Sequence, residues 1–141
     1  MQLDAKNRVT LDLCSSRDSI TRISALLSEA FEKLDLPEEA TFDLKLAATE
    51  ALVNAVEHGN KYDERKMIRV NCEARNGAVI ISVRDEGDGF DPAGVPDPTL
   101  PENILKEHGR GIFLMRNLCD DVCYNEKGNE VTIVKKIPKA D

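Results

Sequence analysis

The chain has 141 residues, of which 41% are hydrophobic and 32% are charged, so it is long enough to fold as one domain around one core. It contains no apolar run of the roughly 18 residues that a membrane span requires, and its first residues do not resemble a signal peptide, so we expect a soluble, cytoplasmic protein. Its net charge of −7 repels phosphate backbones and anionic lipids, which argues against direct binding to nucleic acid or to a membrane surface.

The first part of the chain predicts a strand followed by two helices. Apolar residues alternate over residues 7–13, which indicates a strand, and Ser15 and Ser16 then offer caps for a helix. The apolar positions of this helix recur at three-to-four spacing and should face a core: Ile20, Ile23, Leu27, Phe31 and Leu34. Pro37 and the acidic residues after it begin a second predicted helix that runs to about Gly59.

The rest of the chain predicts two antiparallel strand pairs with a long loop and a short helix between them. Strand-like runs over residues 67–74 and 78–84 flank Asn76-Gly77, a pair that suits a tight hairpin turn. Residues 86–108 hold four of the six prolines and three of the eight glycines, so we interpret them as an irregular lid. A helix over residues 112–118 and strands over residues 122–125 and 131–137 complete the order.

This order of elements predicts an α+β fold. We expect a two-layer sandwich with a mainly antiparallel mixed sheet and helices on one face, because the regular strand–helix alternation of a doubly wound sheet is missing. We interpret residues 1–141 as a single domain. The four cysteines contain no C-x-x-C pair, so we expect buried thiols rather than a disulfide framework or a zinc site.

A carboxylate and an amide lie four residues apart in the second predicted helix. Glu50 and Asn54 therefore share one helix face, where the carboxylate can accept a proton and the amide oxygen can bind Mg²⁺. A solvated polar stripe would show the same spacing, so the pair alone leaves both interpretations open.

An acidic residue followed by two glycines comes directly after an apolar strand. The Asp85 carboxylate can accept a hydrogen bond from an exocyclic amine such as that of adenine, and Gly87 and Gly89 let the backbone approach a ligand. An ordinary turn would also use these residue types. The segment matches neither a calcium-binding EF-hand loop nor the dinucleotide fingerprint, and no P-loop occurs in the chain.

A second glycine-rich segment, Gly109-Arg110-Gly111, comes directly before the third predicted helix. Free backbone amides, the helix dipole and the arginine would together attract a polyphosphate at this place. A flexible hinge with an exposed arginine is the alternative interpretation.

Three segments in this order resemble the N-box and the two glycine boxes of the Bergerat-type, or GHKL, ATPase superfamily. They read Glu50-Ala-Leu-Val-Asn54-Ala-Val-Glu-His58-Gly59-Asn60, Asp85-Glu-Gly87-Asp-Gly89-Phe and His108-Gly109-Arg110-Gly111-Ile-Phe-Leu-Met. With the short chain length, they are similar to those of the bacterial anti-sigma-factor serine kinases. One box departs from the pattern, because Gly128-Asn129 stands where many members have glycine and threonine.

The resemblance implies a Bergerat-type fold, the cofactors ATP and Mg²⁺, and a role for each matching residue. Asn54 would chelate Mg²⁺, Glu50 would be the general base toward a serine hydroxyl, and Asp85 would recognise the adenine amine. Arg110 would neutralise phosphate charge during transfer. Four glycines would shape the nucleotide pocket: Gly87, Gly89, Gly109 and Gly111.

The resemblance also implies a function and partners. The chain would be an anti-sigma factor with ATP-dependent serine kinase activity, phosphorylating a STAS-domain anti-anti-sigma protein and binding a sigma factor in a partner-switching system. It would be a homodimer, and Arg22 on the first helix is the position that we match to a partner-contacting arginine. Two alternatives stay open: a nucleotide-gated binding module without phosphoryl transfer, and a related kinase that serves a phosphatase or a signalling relay.

Overall fold

The computed structural model describes residues 8–89 and 108–138, with the backbone alone for residues 108–110. Its elements are β1 (Arg8–Cys14), α1 (Arg17–Leu34), α2 (Glu38–Val53), a π-helical turn (Asn54–Gly59), β2 (Met67–Arg75), β3 (Ala78–Arg84), α3 (His108–Leu118), β4 (Asp121–Tyr124) and β5 (Glu130–Lys136). The predicted order of strands and helices is confirmed, while most of the predicted lid lies outside the described residues. None of the helices in these ranges is long and apolar enough to cross a bilayer.

The five strands form one sheet in the order β1-β2-β3-β5-β4, and each neighbouring pair is antiparallel. The register places Val70 opposite Val83, and it places Ile81 between Cys72 and Ile133. All five side chains are buried and belong to the same core as the apolar faces of the helices. Alternation along each strand thus gives one apolar face, and the predicted two-layer α+β architecture is confirmed.

Helix α1 forms as its sequence predicts. Ser16 caps it, because the serine hydroxyl accepts a hydrogen bond of 3.1 Å from the backbone amide of Ser19. Ile23, Leu27 and Phe31 on the predicted apolar stripe are buried. Their burial fixes the helix on the sheet.

The turn between β2 and β3 is the predicted two-residue hairpin. Asn76 and Gly77 have φ angles of 53° and 75°, the positive values that this tight turn requires. The turn therefore sets the register in which Arg75 pairs with Ala78.

The second predicted helix has the expected length but changes its pitch. It is α-helical to Val53 and then forms the π-helical turn, in which the Asn60 amide bonds the Ala55 carbonyl at 2.8 Å, five residues back. Apolar periodicity does not distinguish a single π-turn from an α-turn, so the sequence prediction missed it.

Helix α3 begins at His108, four residues before the predicted start. Its first turn therefore contains Gly109 and Gly111, which have low helix propensity and hid the true start in the sequence. The amides of a first helical turn have no partner within the helix, so those of Gly109-Arg110-Gly111 can still donate hydrogen bonds to an anion.

The cysteines divide into two groups. Cys72 and Cys119 are buried, and burial raises their pKa values to about 12 and about 11. Cys14 and Cys123 are exposed, so the expectation of buried thiols is wrong for these two. Cys14 ends β1, and Cys123 lies on the opposite face of β4 from the buried Val122.

Candidate nucleotide site

A cavity of about 190 Å³ lies between the end of α2, the π-helical turn, the end of β3 and the β4–β5 turn. Its wall combines apolar and polar side chains, among them Ala51, Asn54, Val83, Asp85, Ile112 and Asn129. A mostly apolar pocket with a few convergent polar groups is typical of a small-molecule site.

At one end of the site, Glu50 and Asn54 lie against the first turn of α3. A Cβ on Gly111 would be 2.9 Å from Asn54 Nδ2 and 3.1 Å from Glu50 Oε2, so a side chain here would press on both polar groups. Glu50 and Asn54 are both half-buried. This close packing favours a built site over a solvated polar stripe.

The donor set at this end fits Mg²⁺. The amide oxygen of Asn54 is a hard ligand of the kind that Mg²⁺ prefers, and the Glu50 carboxylate beside it can accept a proton. Within residues 8–89 and 108–138, no group of three or more His, Cys, Asp and Glu side chains could hold a metal ion. An ion bound by Asn54 would therefore take most of its ligands from water and from phosphate oxygens.

At the other end of the site, Asp85 follows β3. A Cβ on Gly59 would collide with the Asp85 carboxylate, so the end of the π-helical turn packs directly on this acid. Burial raises the pKa of Asp85, although the Gly87 amide, Lys66 and Lys127 act in the opposite direction. The folded protein thus binds a proton at Asp85 more tightly than the unfolded chain, and its ionisation costs stability as the pH rises through this pKa.

The glycines after Asp85 are needed for close backbone approach. The Gly87 amide donates a hydrogen bond of 2.7 Å to Asp85 Oδ1, and a Cβ on Gly87 would collide with the Gly59 carbonyl. Gly89 has a φ of 77°, and a Cβ on it would collide with the Lys127 carbonyl. Gly89 thus forms part of the cavity wall, and Gly87 packs behind it against Asp85 and Gly59.

The remaining predicted site residues are Gly109, Arg110 and Arg22. Gly109 and Arg110 are in the first turn of α3, and the side chain of Arg110 is outside the described part of the chain. Arg22 is exposed on α1, and no residue of α1 lines the cavity. Of the predicted residues, Asn54, Asp85 and Gly89 line the cavity, while Glu50 and Gly111 lie beside Asn54 and Gly87 lies beside Asp85.

Sequence reasoning missed several residues of the site. Asn60 ends the N-box segment without an assigned role, yet it is only 1% exposed and contacts the backbone after Asp85. His58, Lys61 and Tyr124 line the cavity, and no motif of this chain singled them out as ligands. Burial raises the pKa of Tyr124 to about 12, so its phenol stays neutral at physiological pH.

The antiparallel sheet with its packed helices defines an α+β protein, and Asn54 and Asp85 line a cavity typical of a small-molecule site. A family model described as "Histidine kinase-like ATPase domain" matches residues 14–135. The chain belongs to this family and, by its curated relatives, to the serine-protein kinase RsbW group within it. The resemblance drawn from the three boxes is thereby confirmed.

Two curated relatives illustrate the similarity. Serine-protein kinase RsbW of Staphylococcus epidermidis is 32% identical over 139 residues, covering 93% of this chain and 87% of the relative. The protein of the same name from Staphylococcus aureus strain JH9 is 32% identical over 133 residues, covering 89% and 84%.

A solved structure supports the fold. The crystal structure of the RsbU and RsbW domains of a Mycobacterium tuberculosis protein superimposes with a TM-score of 0.68 at 18% identity. The match covers 94% of this chain but 33% of the other, so the present chain spans about a third of that protein chain.

Proposed function

We propose that the chain is a cytoplasmic anti-sigma factor that uses ATP and Mg²⁺ to phosphorylate a serine of a STAS-domain anti-anti-sigma protein. The serine-protein kinase relatives support the reaction class. The observation that carries the proposal is the order of groups along one helix. Glu50 and Asn54 lie at the first turn of α3, and Gly59, at the end of the same continuous helix, lies at Asp85.

The distance between the Glu50 end and the Asp85 end of the site suits a nucleoside triphosphate. Glu50 and Gly59 are nine positions apart in the sequence, so the α-helical rise of 1.5 Å per residue gives about 13 Å as an upper limit, because the last turn is π-helical. This length is comparable with ATP laid out from its adenine to its γ-phosphate. The base would therefore lie at Asp85 and the phosphates between Asn54 and α3.

Each end of the site has groups suited to its part of the nucleotide. The Asp85 carboxylate would accept a hydrogen bond from the adenine amine, and the adjacent glycines would admit the ring. The amides of Gly109 and Gly111 and the charge of Arg110 would neutralise the phosphates. Residues 86–108 would close over them as a lid.

Phosphoryl transfer depends mainly on positioning and charge neutralisation. Asn54 would hold Mg²⁺, which supplies charge stabilisation to the phosphate oxygens when it is bound. Glu50 lies within the same packed cluster and would accept the proton of the attacking serine hydroxyl as general base.

Competition between two proteins for one surface would produce the partner switch. A phosphate on the STAS protein adds negative charge, and this chain carries a net charge of −7, so phosphorylation would weaken that complex and release the surface for a sigma factor. Arg22 is exposed on α1 and would contribute a positive charge to the partner surface of a homodimeric kinase.

Replacement of Glu50 with glutamine tests the proposal. In Glu50→Gln we expect serine phosphorylation of a cognate STAS protein to fall at least about 100-fold, with ATP affinity nearly unchanged, because only proton acceptance is lost. The measurement is transfer of labelled γ-phosphate together with calorimetric ATP binding.

Glu39→Gln is the matched control, because Glu39 is exposed in the first turn of the same helix. Normal transfer by Glu50→Gln would show that the general base is assigned wrongly. A wild-type chain that binds ATP and its partners without ever phosphorylating a STAS protein would instead be a nucleotide-gated binding module.

A further inference from the structure

The peptide group between Asp85 and Glu86 is held on both sides by buried asparagine side chains. Asn129 Nδ2 donates a hydrogen bond of 3.2 Å to the Asp85 carbonyl oxygen, and the Glu86 amide donates one of 2.8 Å to Asn60 Oδ1. Asn129 is 6% exposed and Asn60 is 1% exposed. Side chains from two other parts of the fold thus bind both polar groups of one peptide plane.

Each of these asparagines is itself held in one orientation. Asn60 Nδ2 donates to the Met67 carbonyl at 3.1 Å, which ties it to the start of β2. Asn129 Oδ1 accepts a hydrogen bond of 2.7 Å from Asn125 Nδ2. Asn125 Oδ1 in turn accepts hydrogen bonds of 2.8 to 3.2 Å from three successive amides of the β4–β5 turn. Rotation of either buried amide would break hydrogen bonds in a site with little access to water, which is costly.

The remaining bonds of Asp85 complete this arrangement. The Asp85 amide donates to the Asn129 carbonyl at 2.9 Å, so residues 85 and 129 are joined by both backbone and side chain. The Asp85 carboxylate is bonded by the Gly87 amide and faces the cavity wall formed by Gly59. With the backbone held on both sides, the carboxylate has a fixed direction relative to the cavity.

We infer that Asn60 and Asn129 are positioning residues for purine recognition, which hold the Asp85–Glu86 peptide so that the Asp85 carboxylate meets the amino group of the base. The inference rests on the proposed ATP site and extends it from Asp85 to the side chains that hold its peptide group. Asn60 is not among the described residues that line the cavity, so it acts on the nucleotide through Asp85. The buried amides thus select the base as well as satisfy the backbone.

Comparison of ATP with inosine triphosphate tests this inference, because inosine lacks the amino group that Asp85 would bind. The measured quantity is the ratio of the two affinities, obtained by calorimetry on the full chain with Mg²⁺. A general loss of stability lowers both affinities and leaves the ratio unchanged. We expect Asn60→Ala to reduce the preference for ATP by about tenfold or more, because a displaced Asp85 carboxylate no longer accepts the hydrogen bond from the base.

Asn60→Asp is the rescue variant, because it keeps the acceptor for the Glu86 amide. It also replaces the donor to Met67 with an acceptor and buries a carboxyl group, so urea unfolding is measured beside it. It should restore most of the preference for ATP. Asn129→Ala removes the hydrogen bond to the Asp85 carbonyl and should also reduce the preference for ATP over inosine triphosphate. Amide hydrogen exchange at Glu86, measured without nucleotide, should accelerate in Asn60→Ala but not in Asn60→Asp.

The outcomes separate this inference from the proposed function. An unchanged preference in folded Asn60→Ala would overturn the inference. If that variant does not fold, an unchanged preference in Asn129→Ala overturns it instead; because Asn129 itself lines the cavity, a reduced preference supports the inference only if amide exchange at Glu86 also accelerates. Asp85→Asn is the reference: it should abolish the preference whether or not the asparagines position Asp85. If the wild-type chain shows no ATP binding, or if Asp85→Asn keeps the preference, the proposed site itself is wrong and the inference falls with it.

Discussion

Three glycines of the site matter at the scale of single residues because each touches a polar group. Gly111 packs on Glu50 and Asn54, while Gly59 packs on the Asp85 carboxylate and Gly87 packs on the Gly59 carbonyl. Because glycine has no side chain, two segments of the site can approach each other closely at each of these positions. Gly87 and Gly111 were singled out by their boxes and Gly59 was not, and the contacts of all three were not predictable because they join segments that are distant in sequence.

Replacement of Gly111 with alanine separates stability from function. The new Cβ would lie 2.9 Å from Asn54 Nδ2 and displace the amide, so we expect Mg²⁺-dependent ATP affinity to fall about tenfold or more. Stability should change little, since the atoms that must move are the far ends of two side chains and alanine is favoured over glycine in a helix by at most about 1 kcal/mol. Calorimetric titration and urea unfolding measure the two effects.

Asn117→Ala is the control for this prediction. Asn117 is exposed on the same helix and bonds only the Phe113 carbonyl among its described contacts. Its replacement should leave ATP affinity unchanged. Normal Mg²⁺-dependent binding by Gly111→Ala would contradict the placement of the metal and the phosphates between Asn54 and α3.

At the scale of elements, the helix formed by α2 and the π-helical turn organises the site. Its sequence predicted its length and its polar face correctly, whereas the π-turn at Asn54–Gly59 was not predicted. The reason is physical: an extra residue in one turn redirects the chain beyond that turn without disturbing the apolar pattern before it. The turn brings Gly59 and Asn60 to the end of β3.

Helix α3 is anchored at its far end. Lys135 Nζ on β5 donates to Asp43 on α2 at 2.9 Å and to the Leu118 carbonyl at the end of α3 at 2.7 Å. One cation thus joins three elements and satisfies a helix-terminal carbonyl. This contact holds α3 in the position that places Gly111 against α2.

Helix α1 provides a test of the proposed partner surface. Arg22 is exposed and α1 contributes no residue to the cavity wall, so Arg22→Glu should weaken binding of the sigma factor or the STAS protein about tenfold or more while ATP affinity stays the same. Binding assays with each partner measure the effect.

Lys33→Glu makes the same charge change near the other end of α1 and is the matched control. It should have a much smaller effect on either partner. Equal losses of partner affinity in the two variants would indicate general charge repulsion rather than a contact at Arg22. Unchanged partner affinity in Arg22→Glu would show that Arg22 is not part of the partner surface.

At the scale of the whole molecule, the sequence predicted the class of fold and the chemistry better than the connections within the site. Alternation in β2 and β3 and the Asn76-Gly77 turn specify a hairpin locally, so these elements were predictable. Asn60 and Asn129, which bond the peptide group after Asp85, lie 25 and 44 positions from Asp85 in the sequence. Only the folded sheet brings these residues together. Local patterns carry no information about such contacts.

Calorimetric binding of ATP, with and without Mg²⁺, tests the central claim most directly. The wild-type chain should bind ATP more tightly with Mg²⁺, and Asn54→Ala should lose this Mg²⁺ dependence because the amide oxygen is the proposed metal ligand. Asp85→Asn should bind ATP about tenfold or more weakly in both conditions, since its contact is with the base. Absence of ATP binding by the folded wild-type chain, or wild-type behaviour of both variants, would contradict the account.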